Sequence, residues 1–263
     1  MRKTINNGTH QYNDEGQGPA IVLIHGFSEN GSLWEIQQAY LKDHFRIITP
    51  ELPGTSDVPL TDPLTMESMA DYVYAILLAE SIDKAIIIGH SMGGYVALAL
   101  TEKYPQLVQG LGLFHSTATA DSEEKREARR KSIKLMQEYG AETFVRQTLP
   151  NMFSPAFKSV QPARVEAYVQ MGMKCPQQAM IAYYEAMMQR PDRTAILKDA
   201  TIPVLFVIGK DDNAVPADVI LPQITLPRVS SIHIFDEVGH MGMWEVFDAA
   251  NVILRQFADF CQH

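Results

Sequence analysis

The chain contains few cysteines and no long apolar run, and its acidic residues outnumber the basic ones. Only two of its 263 residues are cysteines. Cys175 and Cys261 lie far apart and form neither a metal-binding nor a redox spacing, so we interpret them as reduced thiols of a reducing compartment. No apolar run approaches the ~20 residues that a membrane-spanning helix requires. The formal net charge of −9 argues against nucleic acid or an anionic membrane as a partner.

Residues 1–15 are polar and lack the apolar core of a secretory signal, so we expect a cytoplasmic protein. The remaining partner class is a small molecule, about which the charge says little. A chain of 263 residues is long enough for a sizeable core, built as one domain with an insertion or as two small domains.

Short apolar runs of the kind that form strands buried on both faces alternate with amphipathic helical patterns. The helical stripes fall in 33–41, 66–77 and 247–257. The strand-like runs are 20–25, 45–49, 85–88, 108–114 and 204–208, and a more alternating run, 230–235, is predicted to be an edge strand. This alternation predicts an α/β protein with a mostly parallel sheet covered by helices.

The alternation stops between the runs 108–114 and 204–208, in a segment without a convincing strand. Ser122 is predicted to be the N-cap of a helix whose first turn is acidic, and prolines divide the rest into short helices. We predict a core formed by residues 1–118 and 199–263, and an inserted helical subdomain, residues 119–198.

The sequence Gly89-His90-Ser91-Met92-Gly93-Gly94 joins a predicted buried strand to a predicted helix. A serine with glycine two residues away on each side, at a strand-to-helix turn, is typical of a nucleophile elbow. Such a turn is so tight that a Cβ at either glycine would collide with a neighbour, and it exposes the serine hydroxyl. Ser91 is therefore the candidate nucleophile, and the backbone N–H of Met92 is directed at the carbonyl that it would attack.

A serine hydroxyl needs a base, and the base needs an acid that orients it. His240, just beyond the last strand, is the preferred base over His25 and His90. Asp211 and Asp212 both follow the run 204–208 at the carboxyl edge of the sheet, where open α/β sheets bind their ligands. Asp212 is preferred, with Asp211 as the alternative.

An oxyanion hole needs a second backbone donor beside that of Met92. The loop after the first core strand begins next to the elbow, so the N–H of Phe27 is the expected donor, with that of Ser28 as the alternative.

With these residues the chain resembles the α/β-hydrolases, and within them the enol-lactonase, carboxylesterase and cofactor-free haloperoxidase-like group. The resemblance rests on His25-Gly26-Phe27, the elbow, Arg190-Pro191-Asp192-Arg193-Thr194, Gly209-Lys210-Asp211-Asp212 with Val215-Pro216, and Gly239-His240. It implies an eight-stranded, mostly parallel sheet flanked by helices, a helical cap after the sixth strand, Asp212 as the acid, and no metal or organic cofactor. One departure is the loop from Glu51 to Ser56, which is about two residues shorter than in many relatives.

The substrate pocket is expected to be adaptable and largely apolar, because the segment 119–198 and the residues after His240 are rich in methionine and aromatic side chains. This composition favours an uncharged acyl group or a lactone. Arg190 and Arg193 are expected to tie the cap to the core, with a carboxylate clamp formed by Arg146, Arg190 or Arg193 as the minor alternative. The predicted pocket residues are Phe144, Phe153, Tyr183, Met241 and Trp244.

The sequence predicts a serine hydrolase that cleaves a carboxylic ester or lactone through an acyl-enzyme. A thioesterase, a carbon–carbon bond hydrolase and a perhydrolase would use the same three residues. A ligand receptor built on the same fold is the rival outside enzymology. An aspartate-nucleophile dehalogenase or epoxide hydrolase is excluded by Ser91.

Overall fold

Eight strands form one mixed sheet in the computed structural model, which describes residues 1–263. The order across the sheet is β1-β2-β4-β3-β5-β6-β7-β8. β1 and β2 are antiparallel to their neighbours, and every later pairing is parallel. The strands are β1 (Arg2–Ile5), β2 (His10–Glu15), β3 (Ala20–Ile24), β4 (Arg46–Glu51), β5 (Ala85–His90), β6 (Val108–Phe114), β7 (Val204–Gly209) and β8 (Ser230–Phe235).

The predicted α/β class and the eight-stranded, mostly parallel sheet are confirmed. Eleven α-helices accompany the sheet, and α1 packs against α11 while α2 packs against α3. They are α1 (Glu35–Leu41), α2 (Met66–Ala79), α3 (Met92–Lys103), α4 (Glu123–Thr148), α5 (Pro155–Val160), α6 (Pro162–Gly172), α7 (Gln177–Gln189), α8 (Thr194–Lys198), α9 (Ala217–Ile220), α10 (Gly242–Glu245) and α11 (Phe247–Phe260).

The register of the central strands aligns their carboxyl ends. Gly89 in β5 is paired with Ile24 in β3, and His90 is paired with Phe114 in β6. The loops that leave β3, β5, β6 and β7 therefore start side by side, which is the edge at which open α/β sheets bind ligands.

The two N-terminal strands were not apparent from local hydrophobic patterning, because polar contacts hold them. Asp14 in β2 accepts hydrogen bonds from Lys3 in β1 at 2.6 Å and from Arg46 in β4 at 2.7 Å. Both cations also bind Glu80, the residue after α2. An ion network therefore attaches the hairpin of β1 and β2 to the rest of the sheet.

Helices α4 to α8 occupy the chain between β6 and β7. The predicted N-cap is confirmed, since the Ser122 hydroxyl accepts a hydrogen bond from the amide of Lys125. Arg193 is buried and binds Glu102 of α3 at 2.9 Å and also Glu67 of α2, so it attaches the end of this segment to the helices beside the sheet. None of the helices combines the length and the apolarity that crossing a membrane requires.

Candidate active site

Ser91 lies in the turn between β5 and α3 with a backbone conformation that L-residues rarely adopt, at φ 51° and ψ −117°. Such a conformation costs about 1–3 kcal/mol and persists only where the surroundings enforce it. The surroundings here are backbone atoms. A Cβ at Gly89 would overlap the carbonyl group of Gly93, and a Cβ at Gly93 would overlap the carbonyl oxygen of Ile24. Glycine at both positions is therefore required by the packing of the turn.

His240 and Asp212 meet at the same edge of the sheet, each in the loop that follows its strand. Nδ1 of His240 lies 2.7 Å from Oδ2 of Asp212, and both side chains are almost fully buried. Oδ1 of Asp212 accepts hydrogen bonds from the amides of Ala214 at 2.9 Å and Val215 at 2.8 Å. Burial alone would raise the pKa of Asp212, but the nearby imidazoles outweigh it and hold the pKa far below its usual range. Asp211 is only half-buried, and its side chain does not contact His240.

A third buried side chain, His115 at the end of β6, shares the carboxylate. Its Nδ1 donates to Oδ2 of Asp212 at 3.2 Å, and its Nε2 accepts the amide N–H of Gly242 at 3.2 Å. Because Nε2 is an acceptor, the proton of the neutral ring resides on Nδ1. Burial lowers the pKa of His115 to about 4. The sequence analysis missed this residue, since it follows a strand without any recognisable motif.

Ser91 and His240 line one cavity of about 560 Å³, together with Phe27. The amides of Phe27 and Met92 have no acceptor within the protein, so both N–H groups are available. No hydrogen bond joins the hydroxyl of Ser91 to His240. The structure thus brings the predicted nucleophile, base and acid to one edge of the sheet, with a buried His–Asp pair beside the elbow.

A family model described as the alpha/beta hydrolase fold matches residues 19–246. The chain belongs to the α/β-hydrolase family.

Individual proteins that resemble this hydrolase carry different activities in their names. A 2-hydroxy-6-oxo-6-phenylhexa-2,4-dienoate hydrolase of Burkholderia cepacia is 26% identical over 267 residues, which cover 97% of this chain and 93% of the relative. A thermophilic esterase from Thermogutta terrifontis, solved with malate bound, has a TM-score of 0.92, 26% identity and complete coverage of both chains. The enol-lactonase from Burkholderia xenovorans LB400 has a TM-score of 0.88 and 20% identity, over 98% of this chain and 99% of the enol-lactonase. At this identity the similarity is one of fold. The resemblance inferred from the motifs is confirmed.

The hydrolase carries a second buried acid–base pair beneath the elbow. Oε2 of Glu29 accepts hydrogen bonds from Nδ1 of His90 at 3.0 Å and from the amide of Gly26 at 2.5 Å, and its Oε1 accepts the hydroxyl of Tyr168 at 2.8 Å. Nε2 of His90 donates to the backbone carbonyl of His240 at 3.0 Å. Burial would lower the pKa of His90, but the charge of Glu29 raises it above its ordinary value, and the same pairing lowers the pKa of Glu29. We interpret the two as an ion pair that supports the loop of His240. Sequence analysis missed Glu29.

The five predicted pocket residues do not line the cavity. Phe144 and Tyr183 pack edge-on against Phe27, which is itself stacked on Tyr184. The other three are Phe153 and Trp244, which pack against Tyr168, and Met241, which is fully buried. The five side chains were predicted to line the pocket, and they lie instead in the aromatic and apolar layer behind its wall.

The wall of the cavity is more polar than the largely apolar pocket expected from the sequence. Only half of its 22 lining residues are hydrophobic. The polar ones include Lys125 and Arg129 on α4. Arg190 and Arg193 do not line the cavity, and each binds carboxylates of the protein itself.

His115, Asp212 and His240 have potential metal-ligand atoms within 4.8 Å of one another. Their hydrogen bonds argue against such a use. Nδ1 of each imidazole carries the proton that it donates to Oδ2 of Asp212, and Nε2 of His115 already accepts the amide of Gly242. The cluster is built for orienting an imidazole.

Proposed function

We propose that the chain is a serine hydrolase that cleaves a carboxylic ester or lactone through an acyl-enzyme. The observation that carries the proposal is the contact of 2.7 Å between Nδ1 of His240 and Oδ2 of Asp212, made by a histidine that lines the same cavity as the elbow serine. With Nδ1 engaged, Nε2 of His240 is the nitrogen left to act as a base.

In this mechanism Oγ of Ser91 attacks the carbonyl carbon while Nε2 of His240 takes the hydroxyl proton. Asp212 holds the imidazole in place and stabilises the imidazolium that forms. The imidazolium then protonates the leaving alkoxide. In the second half-reaction His240 activates a water molecule, which attacks the acyl-enzyme and releases the acid. The missing hydrogen bond between Ser91 and His240 is expected to form when substrate fills the cavity, as catalytic contacts tighten in the substrate complex.

The negative oxygen of the tetrahedral intermediate is assigned to the amides of Phe27 and Met92. Met92 is the first residue of α3, so its N–H has no intrahelical acceptor and the positive end of the helix faces the same point. Each such donor is worth about 10²–10³ in turnover. The helices of residues 119–198 would act as the cap that completes the cavity and excludes water.

Replacing Ser91→Ala tests the proposal. We expect hydrolysis of 4-nitrophenyl esters, from acetate to octanoate, to fall by about 10⁴–10⁶ in turnover, because the nucleophile is lost while the fold is kept. Ser159→Ala, an exposed serine on α5, is the matched control and should keep full activity. Turnover by Ser91→Ala close to that of the unmodified protein would refute the assignment.

A carbon–carbon bond hydrolase is the second candidate, favoured by the dienoate hydrolase that aligns over 97% of this chain. The same three residues would serve, with the proton transfers directed at a carbon leaving group. Serine-dependent cleavage of a vinylogous β-diketone, with no turnover of any ester or lactone, would decide for it. A ligand-induced thermal shift without turnover of either class would instead favour a receptor.

A further inference from the structure

One wall of the cavity presents a cation that no carboxylate of the protein neutralises. Lys125 lines the cavity from α4, and its Nζ donates to the backbone carbonyl of Ala214 at 2.5 Å. It forms no ion pair, since no carboxylate oxygen lies within 4.0 Å of its Nζ. Ala214 in turn donates its amide to Asp212. The ammonium group is thus fixed two residues from the acid that orients His240.

The charge behind this wall is also positive. Arg129 and Arg190 share a single carboxylate, that of Asp121, at 2.6 Å and 2.8 Å. All three side chains are largely buried, so two guanidinium groups face one counter-charge in a medium that screens poorly. Two carboxylates line the cavity. Glu29 is buried and already accepts three hydrogen bonds. Glu124 is an exposed residue in the first turn of α4 and forms no ion pair with Lys125.

A tyrosine hydroxyl at the cavity wall beside these cations has no hydrogen-bond partner within the protein. Tyr95 lines the cavity from α3 and is only 2% exposed, yet its hydroxyl makes no hydrogen bond within the protein. The guanidinium of Arg190 lies 3.8 Å from the centre of its ring. Burial would raise the pKa of Tyr95, but the charges of Arg190, Lys125 and Arg129 outweigh it and lower the pKa. A phenol whose acidity rises in this way reports a positive potential at that point of the cavity.

We propose that Lys125 and Tyr95 form a subsite for a carboxylate of the substrate, so that the ester or lactone that is cleaved carries a negative charge. The cleavage step rests on the function proposed above, whereas the binding of a carboxylate does not. This assignment replaces the uncharged acyl group that the sequence composition favoured. An ammonium and a hydroxyl donating to the two oxygens of one carboxylate would give Lys125 a counter-charge beside its bond to Ala214 and would give Tyr95 an acceptor.

The position of the subsite sets the length of the substrate. Tyr95 follows Ser91 by one turn of α3, about 6 Å along the helix axis. Lys125 is attached to the loop of Asp212. The carboxylate would therefore lie a few atoms from the scissile carbonyl, as in a half-ester of a short dicarboxylic acid or an ester of a short hydroxy acid.

The experiment compares charged and neutral substrates of equal size at pH 7.5. 4-Nitrophenyl hydrogen glutarate is paired with 4-nitrophenyl pentanoate, which places the charge on the acyl side. 4-Acetoxybenzoate is paired with its methyl ester, which places the charge on the leaving group. We expect Lys125→Met to lower kcat/KM for the charged member of one pair by about 10- to 100-fold and to leave its neutral partner within threefold.

Two further variants make the comparison specific. Lys131→Met removes an exposed lysine from the same helix and should change neither substrate. Tyr95→Phe should lower kcat/KM for the charged substrate by about fivefold, through loss of one hydrogen bond. Retained turnover of the neutral ester shows that each variant is folded.

The outcomes separate the two proposals. If the unmodified protein hydrolyses neutral esters without preferring either charged partner, the subsite is wrong and the hydrolase assignment stands. If no ester is hydrolysed at all, the hydrolase assignment fails, and binding of glutarate by calorimetry decides on the subsite. Binding that Lys125→Met abolishes and Lys131→Met preserves would support it, and no binding to the unmodified protein would overturn it.

Discussion

Two imidazoles share one oxygen of Asp212, and their surroundings give them different roles. His240 lines the cavity and keeps Nε2 unengaged, whereas both ring nitrogens of His115 are hydrogen-bonded inside the protein. His115 therefore cannot accept a proton from a substrate without losing the amide of Gly242. We interpret it as a positioning residue that fixes the carboxylate through the same oxygen that binds His240.

The titration of His115 should be visible in the stability of the protein. Its pKa is about 4 in the folded chain, compared with the ordinary value of 6.5 that applies in the unfolded chain. As pH falls, the unfolded chain takes up the proton first, so the stabilisation present above pH ~6.5 is lost on the way to pH ~4. At about 1.4 kcal/mol per unit, the loss is on the order of 2–3 kcal/mol. His115→Gln, measured by urea unfolding at pH 7 and pH 4.5, should lose correspondingly less stability over this interval than the unmodified protein.

Burial lowers the pKa of His25 as well, so His115→Gln and the unmodified protein each lose some stability over this interval. Only the difference between their losses therefore reports on His115. The contribution of Asp212 has the same sign but falls below pH ~4, since its folded pKa is depressed from an ordinary value near 4. Identical pH slopes for His115→Gln and the unmodified chain would show that His115 is not buried as a neutral imidazole.

At the scale of elements, the junction of β5 and α3 is held by backbone contacts. Gly89→Ala would force its new methyl group into the carbonyl carbon and oxygen of Gly93. Both are backbone atoms, so no side chain can move aside to relieve the overlap. We expect a loss of more than about 4 kcal/mol in the free energy of unfolding, together with loss of activity. Thermal unfolding checks this, at roughly 2–4 °C per kcal/mol for a chain of this size.

Gly140→Ala is the matched control within α4. Gly140 has φ 85°, but nothing lies within 4 Å of an added Cβ. Backbone strain alone should cost about 1–3 kcal/mol there and leave the elbow intact. If Gly89→Ala were no worse than Gly140→Ala, the packing argument for the elbow would be wrong.

The strands that could be predicted from the sequence are those with a recognisable hydrophobic pattern. Strands such as β3 were predicted to within one residue of their observed limits because burial on both faces leaves a continuous apolar run. β1 and β2 carry polar side chains whose ion partners come from β4 and the end of α2, and local patterning does not record such contacts. Glycine spacing marked the elbow, but nothing near His115 or Glu29 indicated that each would meet a residue far away in the chain.

At the scale of the whole molecule, a chain of hydrogen bonds connects the helices between β6 and β7 to the sheet. It runs from Tyr168 on α6 through Glu29 and His90 to the backbone carbonyl of His240. Every side chain in it is buried. The helical segment is thereby coupled to the loop of the proposed base without touching the imidazole itself.

Glu29→Gln should test this coupling. The substitution removes the counter-charge of His90 inside the protein, and leaving one partner of a buried ion pair unpaired costs about 3–5 kcal/mol. The free energy of unfolding in urea at pH 7 is the measurement. Glu35→Gln, which alters an exposed carboxylate on α1, should change it by less than about 0.5 kcal/mol. A loss below about 1 kcal/mol for Glu29→Gln would mean that His90 is neutral.

Helix α4 reaches the cavity with Lys125, Ala128, Arg129 and Ser132, at the spacing of a single helical face. The backbone of the elbow, by contrast, is fixed by Gly89 and Gly93, which have no side chains to present to the cavity. The side chains that α4 presents to the cavity therefore lie on a different helix from the elbow, whereas Tyr95 of the proposed subsite shares α3 with it. A combinatorial library restricted to these four positions could retune which molecules enter while leaving the reacting groups where they are, and evolution has had the same freedom.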